Sequence, residues 1–486
     1  MNSTLTHGRH RPEGTPSFAR ERERLRALIY NHNHPLTGRD GVADAQRRET
    51  ARDKRDLYEG HAERVLTRYI ASVFTTSQVR ESLVRVADTS VNLMRRIPDR
   101  VAMLYAEPPV RHAGPNVIPV AALDAFVTGG FDAFMADIQR RVIAHGVVAV
   151  EPVFVKGRVR LYVHDPDALY VLTDPMGDIE AVCYPIRNPE SAGGASAGGR
   201  AEDLYMLWTA ERQAVLNRDL ADVSDRYAGW LTREDGANPY GVVPFAFFPA
   251  EPGTVTGDPL AAMHTSDSLM LGTLIVMLYA TELNHQIKAG SFRQIVVTGQ
   301  MQAEDMARVL RDSQAIFVAE AGAQVSVLDS TANIEGMRRA IESKIEDVCA
   351  AYGLSLAEFR RTAQVASGVA LSLERQGVVD FNRRMRAPFA RGEAALWAIL
   401  TAMVKAHGLT PDEAPWPDGP FTVTYREPVP VASEAERFAL FKDQLGLGLV
   451  KASSFWGSLD DATALARAEE IAAFNRRFLA LQGGGV

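Results

Sequence analysis

The chain lacks most of the features that mark a secreted, membrane-spanning or catalytic protein by sequence. Only two of its 486 residues are cysteine, Cys183 and Cys349, too few and too far apart for a disulfide framework or a cysteine-rich zinc site. That usage fits a reducing compartment, with both thiols buried as small hydrophobes. Positive charge is not in excess: 53 Lys and Arg against 60 Asp and Glu give a formal net charge of −7 with His neutral. Gripping nucleic acid over a whole surface requires Lys and Arg to displace counterions, so this balance leaves room only for a local basic patch. The longest apolar run, Leu269 to Ala280, is interrupted by Gly272 and Thr273 and bounded by Asp267 and Glu282. It falls short of the ~20 residues of a membrane span and reads as a helix buried against protein. Met1 to Ser17 is polar and rich in His, Arg, Gly and Pro, which predicts a flexible arm and no secretory signal.

Nucleotide motifs are missing too. No Gly-x-x-x-x-Gly-Lys-Ser/Thr occurs, and no Gly-x-Gly-x-x-Gly falls between a strand and a helix, so the commonest ATPase and dinucleotide readings fail. Gly194-Ala195-Ser196-Ala197-Gly198 matches the Gly-x-Ser-x-Gly string of hydrolases, but it sits in a Ser/Ala/Gly loop where a nucleophile elbow needs a strand before it and a helix after it. His145 and His164 have no second ligand at metal spacing and read as structural. Asp165, Asp167, Asp174 and Asp178 fit no EF-hand spacing and read as turn chemistry. Neither a metal nor a cofactor is expected, and the chain is not expected to be an enzyme. Arg360-Arg361 could meet phosphate in a channel or cap the dipole of the preceding helix; the residues alone leave both open.

At 46% hydrophobic and 23% charged, the chain can bury several cores and is expected to have several parts. Apolar residues from Leu57 to Phe74, mostly three or four apart, predict one helix of four to five turns. Val91 to Tyr105 predicts a second, bent at Pro98, and Val120 to His145 a third, loosened by Gly129 and Gly130 and ended by Gly146. Strands are predicted at 147–155, 158–163, 168–172, 179–186, 204–209 and 242–248. Helix returns at 259–288. Strands at 294–297 and 324–328 then bracket a helix after Met301 and a strand at 316–318. Further helices are predicted at 331–352 and 366–407, the last bent at Gly377 and Pro388, and two or three shorter ones beyond Pro430, the first capped by Ser433 and Glu436.

Three strings sit in this order of parts. They are His164-Asp165-Pro166-Asp167-Ala168-Leu169-Tyr170-Val171-Leu172-Thr173-Asp174, Asn238-Pro239-Tyr240-Gly241-Val242-Val243-Pro244-Phe245 and Ala366-Ser367-Gly368-Val369-Ala370-Leu371-Ser372-Leu373. With the element order, they resemble the portal proteins of tailed bacteriophages over most of Leu57 to Leu481. The resemblance implies an α+β portal-protein fold, mainly helical, with a β-rich wing insertion, long stem and tunnel helices and a small α/β clip. After an arm at 1–17, the wing would be 18–257, with its β-rich part at about 147–250. The first stem helix would be 258–290, the clip 291–330, the second stem helix 331–352 and the tunnel loop 353–367. The tunnel helix and its return to the wing would be 368–427, the crown 428–481 and a flexible tail 482–486.

The same resemblance implies a passive ring, usually a dodecamer, at one capsid vertex of a virion, assembled in the host cytoplasm, through which DNA is packaged and ejected. Its implied partners are the terminase large subunit, a head-tail adaptor protein, the major capsid and scaffolding proteins, and double-stranded DNA passing without sequence specificity; no membrane is involved. Arg360, Arg361, Thr362, Gln364 and Ser367 would face the channel, and Leu269, Leu271, Leu274 and Leu278 would meet neighbouring subunits. Another head or connector component, or an enzyme with an unrecognised site, are the competing readings, and native size separates the ring from the enzyme.

Overall fold

Every strand pairing among the described residues is antiparallel, and the strands fall into four small sheets separated by helices, an α+β architecture. The computed structural model describes residues 16–29, 41–186, 204–251, 258–290, 294–298, 324–328, 334–356, 368–409, 416–417, 419–426 and 441–442.

Five helices open the chain: α1 (Pro16–Ile29), α2 (Gly41–Glu59), α3 (Ala62–Val73), α4 (Ser77–Val84) and α5 (Leu93–Val101). The single helix expected from Leu57 to Phe74 is two, because Gly60 turns the chain with φ +97° while the apolar spacing runs on across it. The helix expected from Val91 to Tyr105 is shorter, starting after Asn92, whose side chain accepts from Arg95 N, and stopping one turn past Pro98. Strands β1 (Val110–Ala113) and β2 (Asn116–Val117) follow. The helix expected from Val120 to His145 is divided into α6 (Val120–Asp124) and α7 (Phe131–His145). Asp124 caps α7, accepting from Phe131 N at 2.7 Å, and Gly146 ends it in the left-handed region, as the sequence predicts.

The β-rich part holds β3 (Val147–Val155), β4 (Arg158–His164), β5 (Tyr170–Thr173), β6 (Ile179–Ile186), β7 (Leu204–Thr209), β8 (Gln213–Leu216) and β9 (Ala246–Pro249). One sheet runs β4-β3-β9, the other β5-β6-β7-β8. β3 is central, and its first six residues are all buried, apolar except for Glu151. β8 is not foreseen by the sequence, and β9 begins later than Val242.

A short 3-10 turn (Ala261–Ser266) leads into α8 (Asp267–Gly290). The hairpin β10 (Gln294–Thr298) and β11 (Gln324–Leu328) follows, paired from Gln294 opposite Leu328 to Thr298 opposite Gln324. Then come α9 (Ile334–Ala351), α10 (Gly368–His407) and β12 (Phe421–Thr424), which returns to pair with β1 in the order β12-β1-β2. The chain leaves α9 through Gly353, φ +72°, where a Cβ would stand 2.3 Å from the Gly377 carbonyl carbon. Gly377, expected to bend α10, is thus where two backbones meet.

Two compact units divide the chain. The first comprises residues 1–362 and 376–427 and contains the main hydrophobic core; the second comprises 363–375 and 428–486. Of the second, only the backbone of the first turns of α10 and residues 441–442 are described. The helix expected after Met301, the strand at 316–318, the 191–199 loop and the helices beyond Pro430 lie outside the described residues.

Candidate oligomer interface and channel

With 24 residues, α8 is about 36 Å long, and its two sides differ. One is buried in the protomer: Leu269, Leu274 and Leu278 are 0%, 4% and 6% exposed. Thr273 and Thr281 turn their hydroxyls onto the carbonyls of Leu269 and Met277, at 2.7 and 2.8 Å, which lets both enter the core satisfied. Gly272 admits Val348 of α9, whose Cγ2 lies 2.4 Å from where a Cβ would be. Fully buried Lys54 of α2 pins the start of the helix, donating to Met263 O at 2.6 Å and lying 2.6 Å from Asp267 Oδ1.

Leu269, Leu274 and Leu278, expected to meet neighbouring subunits, are buried within the protomer itself. α8 packs against α3, α4, α5 and α9. Of the four leucines expected at the interface, Leu271 alone is exposed, at 47%. It starts a ridge of apolar residues four apart, Leu271, Ile275, Tyr279, Leu283 and Ile287, in which the first, third and fifth are exposed and the other two half-buried. Ridges at this spacing are the ones that interdigitate between helices. The stretch Ala261–Lys288 as a whole is long and apolar enough to cross a membrane, unlike Leu269 to Ala280 alone, but 56% of its most apolar window is buried inside the protomer. α9 buries Ile345, Val348 and Cys349 and exposes Arg338, Arg339, Glu342, Glu346 and Asp347.

The expected channel residues Arg360, Arg361, Thr362, Gln364 and Ser367 lie outside the described residues. The other candidates from sequence are placed. Asp174 Oδ1 accepts from Met176 N and Asp178 N, both at 2.8 Å, closing the β5–β6 turn. Asp167 pairs with Arg55, and Asp165 lies 3.5 Å from Arg141. Among the described residues no three His, Cys, Asp or Glu gather as metal ligands would. Cys183 and Cys349 are both buried and free, and burial pushes the thiols up, Cys349 to about 11.

Two buried polar clusters escaped the sequence reading. Glu151, in the middle of β3, is 2% exposed; it accepts from Tyr184 and Trp208, both at 2.9 Å, and lies 2.7 Å from His164 Nε2, joining the two sheets. Glu393 of α10 binds Arg111 and the hydroxyls of Tyr105 and Tyr425. Their one signal is a lone carboxylate within an apolar run. His145 is fully buried with neither ring nitrogen hydrogen-bonded among the described residues. Among the described residues, surface hollows include one of about 490 Å³ beside Phe126, Arg158, Arg160 and Tyr162 and one of about 430 Å³ beside Tyr352, Phe381 and Arg384.

No protein-family model matches the chain, and no curated protein matches its sequence. Its structure is similar to a chain in the neck of an empty GTA particle computed with C6 symmetry, at 13% identity and TM-score 0.42, over 77% of this chain and 91% of that one. It is similar to a chain in the virion of a native gene transfer agent particle, at 14% identity and TM-score 0.39, over 78% and 90%. It is also similar to an HK97-family phage portal protein from Corynebacterium diphtheriae, at 11% identity and TM-score 0.36, over 69% and 92%.

Proposed function

We propose that this chain is a portal-type structural protein. Copies of it form a closed ring at one capsid vertex, a passive conduit for double-stranded DNA during packaging and ejection. The observation that carries the reading is the helix–hairpin–helix excursion α8, β10, β11, α9, which follows the β-rich part and precedes the 40-residue α10. Residues 258–290 and 331–352 would be the stem helices, 291–330 the clip and 368–427 the tunnel helix with its return. A stem helix needs one face on its own protomer and another for its neighbour. α8 has both, the second being the Leu271-to-Ile287 ridge.

Residues 353–367 would be the tunnel loop, placing Arg360, Arg361, Thr362, Gln364 and Ser367 in the channel as rings of weak, sequence-blind phosphate contacts. Twelve copies at −7 each carry −84, which repels DNA on average and lets it slide. The sequence carries no Gly-x-x-x-x-Gly-Lys-Ser/Thr motif, and the energy for DNA movement would come from a separate packaging ATPase, the terminase, docked on the ring before a head-tail adaptor replaces it. Capsid and scaffolding proteins would hold the ring in the virion.

Native mass spectrometry with negative-stain imaging tests the ring. A dodecamer of the 53.2 kDa chain has a mass of about 640 kDa, and class averages should show a closed ring with a central hole. Particles no larger than a tetramer at micromolar concentration, with no ring classes, would overturn the proposal.

A further inference from the structure

Strand β4 carries two arginines whose guanidinium groups have no hydrogen bond or ion pair with any described residue, Arg158 and Arg160. With Tyr162 they alternate along one face of the strand, and all three are exposed, Tyr162 at 47%. A hairpin usually sets such arginines across from carboxylates. Here Arg158 stands opposite Val155 and Arg160 opposite Val153. Glu151, opposite Tyr162, is committed to Tyr184, Trp208 and His164. The three side chains border the hollow of about 490 Å³, which lies within the ~300–1,000 Å³ of ligand clefts. Its other wall is the connection between α6 and α7, tied to the strand where Leu161 N donates to Phe126 O at 3.3 Å, and Phe134 of α7 lines it as well. Asp124, the one carboxylate among the described lining residues, is turned onto Phe131 N at the start of α7, at 2.7 Å. The hollow thus joins two unpaired cations to aromatic surface.

We propose that this hollow and the two β4 arginines receive an extended acidic segment of a partner protein, with carboxylates on alternate residues and an aromatic residue two places further on. Side chains on one face of an extended chain recur every second residue, about 6.6–6.8 Å apart. That is also the spacing of Arg158, Arg160 and Tyr162 along β4. Carboxylates at i and i+2 therefore meet the two guanidinium forks, and the side chain at i+4 enters the hollow lined by Tyr162 and Phe134. A phosphate would satisfy the forks but leave the aromatic wall unused, which favours the peptide. On a chain with 60 acidic against 53 basic residues, a strip of unpaired arginine is a place where an acidic partner is attracted rather than repelled. The site belongs to the protomer and does not rest on the ring reading.

Fluorescence anisotropy of a labelled peptide, Thr-Glu-Thr-Glu-Thr-Phe-Thr, with the full chain tests it. Binding should saturate at about 50 mM salt and weaken severalfold by about 200 mM. Arg158→Gln with Arg160→Gln changes only exposed side chains, so the melting curve should hold while affinity falls about tenfold. Setting the two Glu side by side, as Thr-Thr-Glu-Glu-Thr-Phe-Thr, keeps the peptide's charge and should cost about fivefold, as should replacing its Phe by Thr. Tyr162→Thr leaves both arginines in place and should weaken the Phe peptide but not its Thr form. No saturable binding up to about 1 mM, undiminished binding by the double arginine variant, equal affinity for the side-by-side peptide, or indifference to Phe and to Tyr162→Thr would each overturn the proposal. Displacement by inorganic phosphate or a short DNA duplex at concentrations below the peptide's own Kd would assign the arginines to phosphate and overturn it as well.

Discussion

Glu393 of α10 accepts a hydrogen bond from Nε of Arg111 on β1 at 2.6 Å, with both side chains shut off from solvent and 282 positions apart in the chain. The same carboxylate accepts from Tyr105 at 2.6 Å and Tyr425 at 3.0 Å, and Arg111 also binds Asp132 at 2.7 Å. Burial alone would lower the Arg111 pKa; Glu393 and Asp132 more than offset it, and the net direction is up. Removing the carboxylate leaves buried Arg111 with Asp132 as its one remaining anionic partner among the described residues and takes the shared acceptor from two buried hydroxyls. Glu393→Ala should cost about 3–5 kcal/mol in urea denaturation, and Arg111→Met with Glu393→Met should recover much of that loss. A single-variant cost below about 1 kcal/mol would show that the pair does not hold the sheet to α10.

Gly353 and Gly377 make a second contact with no room for a side chain. Gly353 has φ +72°, and a Cβ at Gly377 would lie 2.6 Å from Gly353 O. Gly353→Ala and Gly377→Ala should each destabilise by about 1–3 kcal/mol, and the double variant by less than their sum because both crowd one approach, which the first methyl already forces apart. Thermal melts of the three variants decide the matter; additive losses would mean the two sites act separately.

These two contacts mark the limit of what the sequence discloses. Strands 147–155 and 204–209 were legible as mostly apolar stretches bounded by turn residues, 324–328 because Gln324 and Ser326 alternate with Val325 and Val327, and Gly146 was legible as a helix stop because a C-cap is a local device. α1 and α2 were missed: their exposed faces are crowded with Arg and Glu, and the few apolar residues that seat α1 face a sheet almost 150 residues on. The β1–β12 pair joins four-residue strands about 310 positions apart, with no local mark on either. At the candidate interface, hydrophobicity showed that α8 is packed but not by what. A leucine covered by its own protomer and one left for a neighbour look alike in sequence.

Leu271 and Leu274 turn that distinction into an experiment. Leu274 is 4% exposed and Leu271 47%, so Leu274→Asp places an unpaired carboxylate in the core and should cost several kcal/mol, on the order of 3–5, lowering soluble yield. Leu271→Asp, alone or with Tyr279→Asp, should leave the melting curve within about 0.5 kcal/mol of native. If the ring proposal is right, it should also shift the native mass from ring to smaller species. A Leu271→Asp protein that melts normally and still forms full rings would remove the ridge from the interface.

His145 should make the fold sensitive to acid. Its ring is 0% exposed, edge-on to Tyr58 at 5.6 Å, and Nε2 lies 3.7 Å from Asp165 Oδ1. Burial pushes its pKa down from 6.5 to about 4; Asp165 opposes the fall, while Arg141, Lys54 and Arg55 add to it. The unfolded chain therefore binds a proton that the folded one refuses between those values, so stability from this site is complete above pH 6.5 and drains as pH falls toward 4. Denaturation at pH 6.5 and pH 4.5 should differ by about 2–3 kcal/mol on this account, and His145→Phe, which keeps the ring against Tyr58, should remove that part of the slope. Acid should loosen the start of β3 beside His145, a change that hydrogen exchange at that strand reads directly. A native pH slope retained in His145→Phe would assign the acid sensitivity to other groups.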